Sequence, residues 1–552
     1  MSEISLKIIP LGGTTNVTKN IYVYEYGEDI IIVDCGVGFP DSSDYGVDLV
    51  IPDFSYILKN KHKVRALLVT HGHEDHFGAV PFLLNELNIP VYATKLVLGF
   101  IQNKLNDHGI KNAKLITIDR KSPFEIGPFK ITPISVNHSV PDSVAFAIET
   151  NEGVVLHVSD FKFDWTPVMD PPFDVFKLTQ IADKGIDLLL SDSLGSTSKG
   201  YTESERYIEQ TFNELMSKAK AQVFITTMSS NISRIQQAIN ASLKFGRKVV
   251  ISGRSIEQNL EVATKLGYLS FPENTFVKDQ DAKNFARDKL THIVAGSYGQ
   301  TNSALYRMAM DKHRFIKIEK DATVIFSADP NPPGVLELVN FVIDKLTLIG
   351  AEVLYSEIQD SLHVSGHGSR GDLSMLAVLA HPKYLVPIGG TVKFMRAYVN
   401  LMTNMGFSKD TIFELLDGES IFLKDKKVFR GEKVYVGNIY VDGSGIGDVG
   451  SIVLRDRQEL ADSGMMVIAI PYKREKKVFG DKIAIVSRGF VYVKEAKHLI
   501  REIENRVRSK LRTNISSKDI IRVKADIEKD VAKFIYKETE RNPIVLVITV
   551  EV

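Results

Sequence analysis

Four side chains able to hold a metal ion fall within six residues, in His71-Gly72-His73-Glu74-Asp75-His76. They follow directly on the apolar run Val64-Arg65-Ala66-Leu67-Leu68-Val69-Thr70, which reads as a buried strand. Imidazole and carboxylate suit Zn²⁺, Mn²⁺ or a similar divalent ion. In extended chain at a strand end, alternate side chains point the same way, so His71 and His73 can share one ion. Asp75 and His76 turn away at the start of the next helix and can hold a second. Histidines serving a core would be scattered, whereas three of the chain's 13 stand in this one hexapeptide. The single cysteine, Cys35, excludes thiolate clusters and internal disulfides, so any metal rests on His, Asp and Glu.

The elements that must position this motif follow from hydrophobic period. Strands are expected over 5–9, 21–26, 29–34, 64–70, 91–93, 129–131, 145–148, 154–158 and 187–192, and a helix over 79–87. Between about 203 and 350 the rhythm changes. Helix patterns at 204–221 and 232–245 alternate with buried strands at 222–227 and 248–252, the mark of an α/β unit on a parallel sheet. Residues 353–425 return to the earlier style, so the α/β unit reads as an insertion. A final βαβ-like piece begins near 460, with strands at 465–470 and 482–487. It continues with a helix over 495–511 carrying Leu499, Ile503, Val507 and Leu511 on one face, and ends in a strand over 543–550.

A chain of 552 residues, 44% hydrophobic and 25% charged, is globular and large enough for two to four domains. Lysine plus arginine equals aspartate plus glutamate at 68 each. Neutrality counts mildly against a nucleic-acid partner, although a basic groove can sit in an otherwise acidic surface. One stretch is locally basic: 473–512 holds 13 Lys or Arg against five Asp or Glu. It reads equally as a solvated helix face and as an RNA or subunit contact. No apolar run approaches the roughly 18 residues that span a bilayer, and no signal-peptide pattern is present, so a cytoplasmic protein without a membrane partner is expected.

The histidine motif resembles the signature of the metallo-β-lactamase superfamily. That resemblance implies further ligands at His138, in Asn137-His138-Ser139, and at Asp160, in Ser159-Asp160-Phe161. It assigns His71, His73 and His138 to one ion, Asp75 and His76 to the other, and Asp160 to both. Asp34, in Val33-Asp34-Cys35-Gly36, is implied to orient ligands from behind. Ser191-Asp192-Ser193 and His363-Val364-Ser365-Gly366-His367-Gly368-Ser369 look like the motifs that open and close the β-CASP insertion of nucleic-acid-cutting members. Met228-Ser229-Ser230-Asn231-Ile232-Ser233-Arg234, Ser252-Gly253-Arg254-Ser255, Gly296-Ser297-Tyr298-Gly299 and the 442–450 segment are similar to ribonuclease J, and the likeness runs nearly the whole length.

The resemblance implies an αββα metallo-β-lactamase sandwich with an inserted β-CASP α/β domain and a small C-terminal α/β domain. Expected boundaries are 1–203 and 353–445 for the sandwich, 204–352 for the insertion, 446–462 for a linker and 463–552 for the last domain. The implied activity is cleavage of single-stranded RNA by hydroxide attack on phosphodiesters. It would be 5′–3′ exonucleolytic with endonuclease activity left open, in rRNA processing and mRNA decay, with up to two Zn²⁺ per chain in a homodimer or homotetramer. Asp75 would orient the attacking hydroxide and His367 would serve as general acid. A Ser-Gly-His-Gly-Ser loop offers hydroxyls and closely approachable N–H groups, which suits a phosphate, and the resemblance assigns Ser365, Gly366 and His367 to phosphate contact, with His363 expected among the RNA-binding residues. Ser230, Asn231 and Arg254 are further candidates, as is Arg234. Phe39 is placed to stack on a base or to fill a core.

There is one departure. Where the ribonuclease J pattern carries a histidine for the second metal, this chain has Gly389, in Pro387-Ile388-Gly389-Gly390. His381 lies too early to replace it. The second site is therefore expected to be weaker and open to Mn²⁺ or Mg²⁺. Two other functions compete: a same-fold hydrolase of a small ester or lactam, against which the insertion counts, and a non-catalytic RNA-binding scaffold, against which the retained ligands count.

Overall fold

A computed structural model describes residues 4–41, 43–328, 335–443, 445–473, 475, 478–480, 482–491, 496–513 and 520–552. Three of the segments read above touch positions outside these: the 442–450 motif at Ser444, the C-terminal helix at Glu495, and the basic stretch 473–512 at 474, 476, 477, 481 and 492–495. The chain forms two compact units, Met1–Phe39 with Val50–Ile439, and Pro40–Leu49 with Tyr440–Val552.

In the first unit two mixed sheets face each other. One runs in the order Lys427–Arg430, Ile421–Lys424, Leu6–Gly12, Ile21–Tyr26, Asp29–Val33, Val64–Leu68, Val91–Ala93, Leu115–Thr117. The other runs Tyr384–Ile388, Leu188–Asp192, Gly153–Val158, Val144–Thr150, Phe129–Ser135, Phe124–Ile126. Ile8, Tyr24, Ile31 and Leu68 of the first meet Phe129, Phe146, Leu190 and Val386 of the second in one buried core. Helices Val175–Lys184, Arg370–Ala380 and Val392–Asn404 cover the outer face of the second sheet through Leu178, Leu376 and Tyr398. Strands covered on both faces read as continuous apolar runs, which is why 66–68 and 188–190 lack polar alternation. This is the αββα sandwich expected from the motifs.

The chain leaves the second sheet at Asp192 and returns at Tyr384 to the neighbouring parallel strand, with Leu190 opposite Val386. Between them lies a separate six-stranded sheet, wholly parallel, in the order Phe276–Val277, Lys248–Ser252, Leu290–Val294, Val223–Thr226, Thr323–Phe326, Glu352–Leu354. The α/β unit is thus an insertion.

In the second unit Met465–Lys473 pairs antiparallel with Ala484–Arg488 and parallel with Ile544–Glu551. Two helices cover one face, Lys497–Thr513 through Ile503, Val507 and Leu511, and Ile520–Thr539 through Val523, Ile527, Val531 and Ile535. The four buried residues of the second helix recur every fourth position, a helical period legible in the sequence. Residues 446–462, expected as a linker, hold the helix Ser451–Ser463, none of whose side chains is buried.

Candidate metal centre

Each ligand candidate lies at or just beyond the C-terminal end of a strand, and the pairing of those strands brings the ends to one edge of the sandwich. Asp34 follows Asp29–Val33, the histidine motif follows Val64–Leu68, His138 follows Phe129–Ser135, and Asp160 follows Gly153–Val158. Asp192 ends its strand, and Gly389 directly follows Tyr384–Ile388.

The side chains meet in three groups that share Asp160: two clusters built on the histidine motif, and a third of Asp160, Asp192 and His367. One ligand atom from each of His71, His73, His138 and Asp160 lies within 4.8 Å of the others, and so does one from each of Asp75, His76 and Asp160. Each imidazole has one nitrogen engaged and the other turned inward. His71 Nδ1 meets Thr70 Oγ1 at 3.0 Å, which leaves Nε2 3.6 Å from Asp160. His138 Nδ1 meets the Gly366 carbonyl at 2.7 Å and its Nε2 lies 3.0 Å from His73 Nδ1, whose own Nε2 meets Ser139 Oγ at 3.2 Å. His76 Nδ1 faces Asp34 at 2.8 Å, leaving Nε2 3.3 Å from Asp160 and 3.5 Å from Asp75. Asp34 is itself fixed by the Thr70 N–H at 2.8 Å, on a backbone with φ of 61°. A hydrogen bond to one ring nitrogen selects the tautomer and aims the other at the ion.

These residues fit divalent cations. His71 Nε2 is buried and finds no hydrogen-bond partner, which an imidazole nitrogen tolerates when it is a ligand. Burial holds His71 and His138 well below the usual imidazole pKa and lowers His73 to about 4, so all three are in the neutral, ligating form. Around His76 the balance reverses. Burial opposes its charge, but Asp160, Asp75 and Asp34 outweigh it and raise the pKa well above the ordinary value. That corner carries the excess negative charge a cation neutralises.

The 363–369 loop closes over this centre. His367 Nδ1 meets Asp192 Oδ2 at 2.7 Å, and its Nε2 lies 3.8 Å from Asp160. Burial raises the Asp192 carboxyl and opposes the imidazolium, yet Asp192 and Asp160 together push His367 up to about 9. Gly366 packs on His138, where a Cβ would meet ring carbon Cε1 at 2.6 Å. Ser365 is exposed, and its hydroxyl accepts from the His367 N–H at 3.0 Å. His363 is half-buried and adds to the field around Glu205.

The remaining candidates divide. Phe39 is 53% exposed, so it is not a core residue, and it follows Gly36, which packs on the Asp75 carbonyl. Asn231 is buried as the N-cap of the helix Ile232–Lys244, accepting from the Arg234 N–H, and Ser230 is buried beside it. Arg254 is exposed and paired with Asp107. Arg234 corrects the sequence reading: it is 1% exposed, ion-paired with Glu205 and bonded to Ser327, and does not reach a phosphate. His381 is an exposed C-cap residue outside both clusters. A Cβ on Gly389 would lie 3.6 Å from Asp160 Oδ1 and 3.5 Å from Asp192 Oδ1, so this position faces the ligand that the clusters share with room for a side chain, on a backbone with φ of 66°. Sequence reasoning missed Asn20, whose amide lies 3.1 Å from His76 Nε2, and Ser139. No spacing rule connects Asn20 to a motif 51 residues later, whereas Ser139 adjoins His138 and was within reach.

A sandwich with this carboxylate-bridged histidine edge defines a metallo-β-lactamase-type metal site, and the model of the metallo-beta-lactamase superfamily matches residues 14–199. The Ribonuclease J beta-CASP domain matches 220–346 and the Ribonuclease J C-terminal domain matches 452–552. The chain is 36% identical to Ribonuclease J2 of Bacillus subtilis, with 99% of each covered. It is 35% identical to Ribonuclease J 1 of Streptococcus pyogenes over 99% of this chain and 98% of that one, and 35% to Ribonuclease J of Helicobacter pylori over 97% and 77%. A solved Enterococcus faecalis protein of unknown function shares the fold, with a TM-score of 0.55 and 15% identity over 76% of this chain and all of that one. The chain belongs to the ribonuclease J family and is a metal-dependent hydrolytic ribonuclease.

Proposed function

We propose that this ribonuclease removes nucleotides from the 5′ end of single-stranded RNA, with internal cutting as a secondary activity, in the maturation and decay of cellular RNA. The observation that supports the reading is the 363–369 loop, which sets His367 3.8 Å from Asp160, the ligand the two clusters share, and leaves Ser365 exposed two residues before it. His71, His73, His138 and Asp160 would hold one cation, and Asp75, His76 and Asp160 the other. Divalent ions bound there supply Lewis acidity, lowering the pKa of a water and stabilising charge at phosphorus.

The chain's own residues do the rest. Asp75, partly exposed at the cluster edge, orients the attacking water. His367, with its pKa at about 9, is protonated at neutral pH and donates through Nε2 to the departing 3′ oxygen. Ser365 and the Gly366 and His367 N–H groups receive the 5′-phosphate. Phe39 offers a stacking face for an unpaired base, which a duplex would not present. Ser230, Asn231, Arg254 and His363 are secondary contacts in this reading, and Asp192 and Asp34 hold His367 and His76. Zn²⁺ suits the nitrogen-rich first cluster. The second, with one imidazole, suits Mn²⁺ or Mg²⁺ as well.

We also infer a cytoplasmic homodimer or homotetramer. No helix among the described residues is long and apolar enough to cross a membrane. The uncovered face of the C-terminal sheet supports self-association, since Val467 lies opposite both Val486 and Leu546, and Ala469 opposite Ile548, with Val486, Leu546 and Ile548 all exposed.

The test is digestion of single-stranded RNA labelled internally and at its 5′ end, carrying a monophosphate, triphosphate or hydroxyl there. Mononucleotides released stepwise and fastest from the monophosphate are expected. Equal rates on all three ends, with internal fragments alone, would refute the 5′-end reading.

A further inference from the structure

The 363–369 loop has no strand or helix to fix its backbone, yet three consecutive carbonyls in it, and that of Leu362 just before it, are held by side chains. Ser327 Oγ donates to Leu362 O at 2.6 Å, Lys162 Nζ to Ser365 O at 3.1 Å, and Thr202 Oγ1 to His367 O at 2.8 Å. His138 Nδ1 meets Gly366 O at 2.7 Å. Among these anchors Lys162 is the one lysine, and its side chain has no exposure to solvent. The same ammonium donates to Glu203 O at 3.1 Å and lies 3.5 Å from Glu205 Oε1. Glu205 pairs with Arg234, whose guanidinium donates to Ser327 O at 3.1 Å and to Ser327 Oγ at 2.9 Å. One buried series of charges therefore grips the loop before and within its phosphate-facing stretch.

Burying three charges is a poor way to add stability, since apolar side chains of similar volume often do as well, but it specifies geometry. Here the geometry has a consequence. A peptide group is planar, with its N–H antiparallel to its carbonyl. Turning the Ser365 carbonyl down onto buried Lys162 turns the Gly366 N–H away from it. The Gly366 carbonyl, held by His138, likewise turns the His367 N–H outward, where it meets the Ser365 hydroxyl at 3.0 Å.

We propose that Lys162 is a positioning residue for the 5′-phosphate pocket: by holding the Ser365 carbonyl it aims the Gly366 N–H at the bound phosphate. This rests on the reading of the loop as a phosphate contact. Lys162 touches no reacting atom, and its effect passes through the peptide plane that follows Ser365.

The test uses the full chain and the substitutions Lys162→Met and Lys162→Arg. Hydrogen exchange of the 363–369 amides is measured without RNA. Binding is measured with 2′-O-methyl oligonucleotides bearing a 5′-monophosphate or a 5′-hydroxyl. In Lys162→Met we expect faster exchange confined to this loop. The monophosphate preference should fall by on the order of tenfold, the value of one charge-assisted hydrogen bond, with a larger rise in KM than fall in kcat and unchanged divalent-ion affinity. Lys162→Arg, which keeps a cationic donor, should restore part of the preference. If the lone substitution prevents folding, Lys162→Gln, which removes the cation while leaving Glu205 paired with Arg234, takes its place. Unchanged loop exchange with unchanged preference would overturn the positioning role while leaving the pocket in place. A wild type indifferent to the 5′ end would overturn the pocket itself.

Discussion

Asp192 Oδ2 lies 2.7 Å from His367 Nδ1, and the opposite nitrogen of the same ring faces Asp160 at 3.8 Å. The pair makes His367 a cation at neutral pH, pushed up to about 9. Because the folded pKa is raised, the favourable interaction is complete below the free imidazole value near 6.5 and is lost as pH climbs through about 9. Activity should fall along the same alkaline limb. Asp192→Asn removes the larger anionic influence, so its limb should move to lower pH and kcat at pH 8 should drop by about 10²-fold, the usual worth of a general acid. A pH–rate profile of both proteins decides it, and an unmoved limb would assign the proton to another group.

Removing a metal ligand should separate activity from fold. Asp75→Ala or His73→Ala deletes one donor from a cluster that keeps others, so RNA cleavage should fall by at least about 10³-fold while the thermal unfolding profile of the sandwich is largely retained. Chelation should abolish cleavage in the wild type and re-addition of divalent ion should restore it. Full turnover in a sample shown by elemental analysis to be metal-free would remove the basis for the metal mechanism.

At Gly389 the second cluster faces a side chain that is absent. Titration with Zn²⁺ and Mn²⁺ should resolve a tight and a weak site in the wild type, and activity should rise when the weak site fills. In Gly389→His a Cβ meets only ordinary contacts, but φ of 66° opposes any side chain, so tighter second-site binding should come with lower stability, on the order of 1 kcal/mol. Calorimetry reads both. Two equally tight sites in the wild type would mean that another donor, such as Asn20 beside His76, completes the shell.

Away from the centre, burial lowers the pKa of His292 to about 3; its ring stacks on Phe224 at 4.4 Å, and neither ring nitrogen has a hydrogen-bond partner. A histidine depressed in the fold contributes stability above the free value near 6.5, and that stability drains as pH falls toward about 3. Between pH 7 and pH 5 this one residue should cost roughly 2 kcal/mol. His292→Leu should flatten the slope by about that amount, as read by urea unfolding at the two pH values. An identical slope would place the acid sensitivity elsewhere, with buried His157 next in line.

What the sequence determined by itself was local. His71, His73, Asp75 and His76 stand within one strand-end turn, so their types and spacing already imply metal chemistry. Strands buried on both faces announce themselves as apolar runs, and the change of rhythm near 203 marks the insertion. Family likeness supplied His138, Asp160 and His367, which no local pattern joins to the hexapeptide. Tertiary structure decided what depends on separations of tens to hundreds of residues. It brings Asp160 between both clusters, sets Asp192 behind His367 across 175 positions, and turns Lys162 onto Ser365 across 203. It also decided Arg234, which in sequence is a cation beside a polar motif and in the fold is neutralised by Glu205 out of reach of RNA. A charged side chain's role is set by what surrounds it, because burial makes pairing obligatory while exposure leaves the charge free for a ligand, and that surrounding comes from chain segments far apart in sequence.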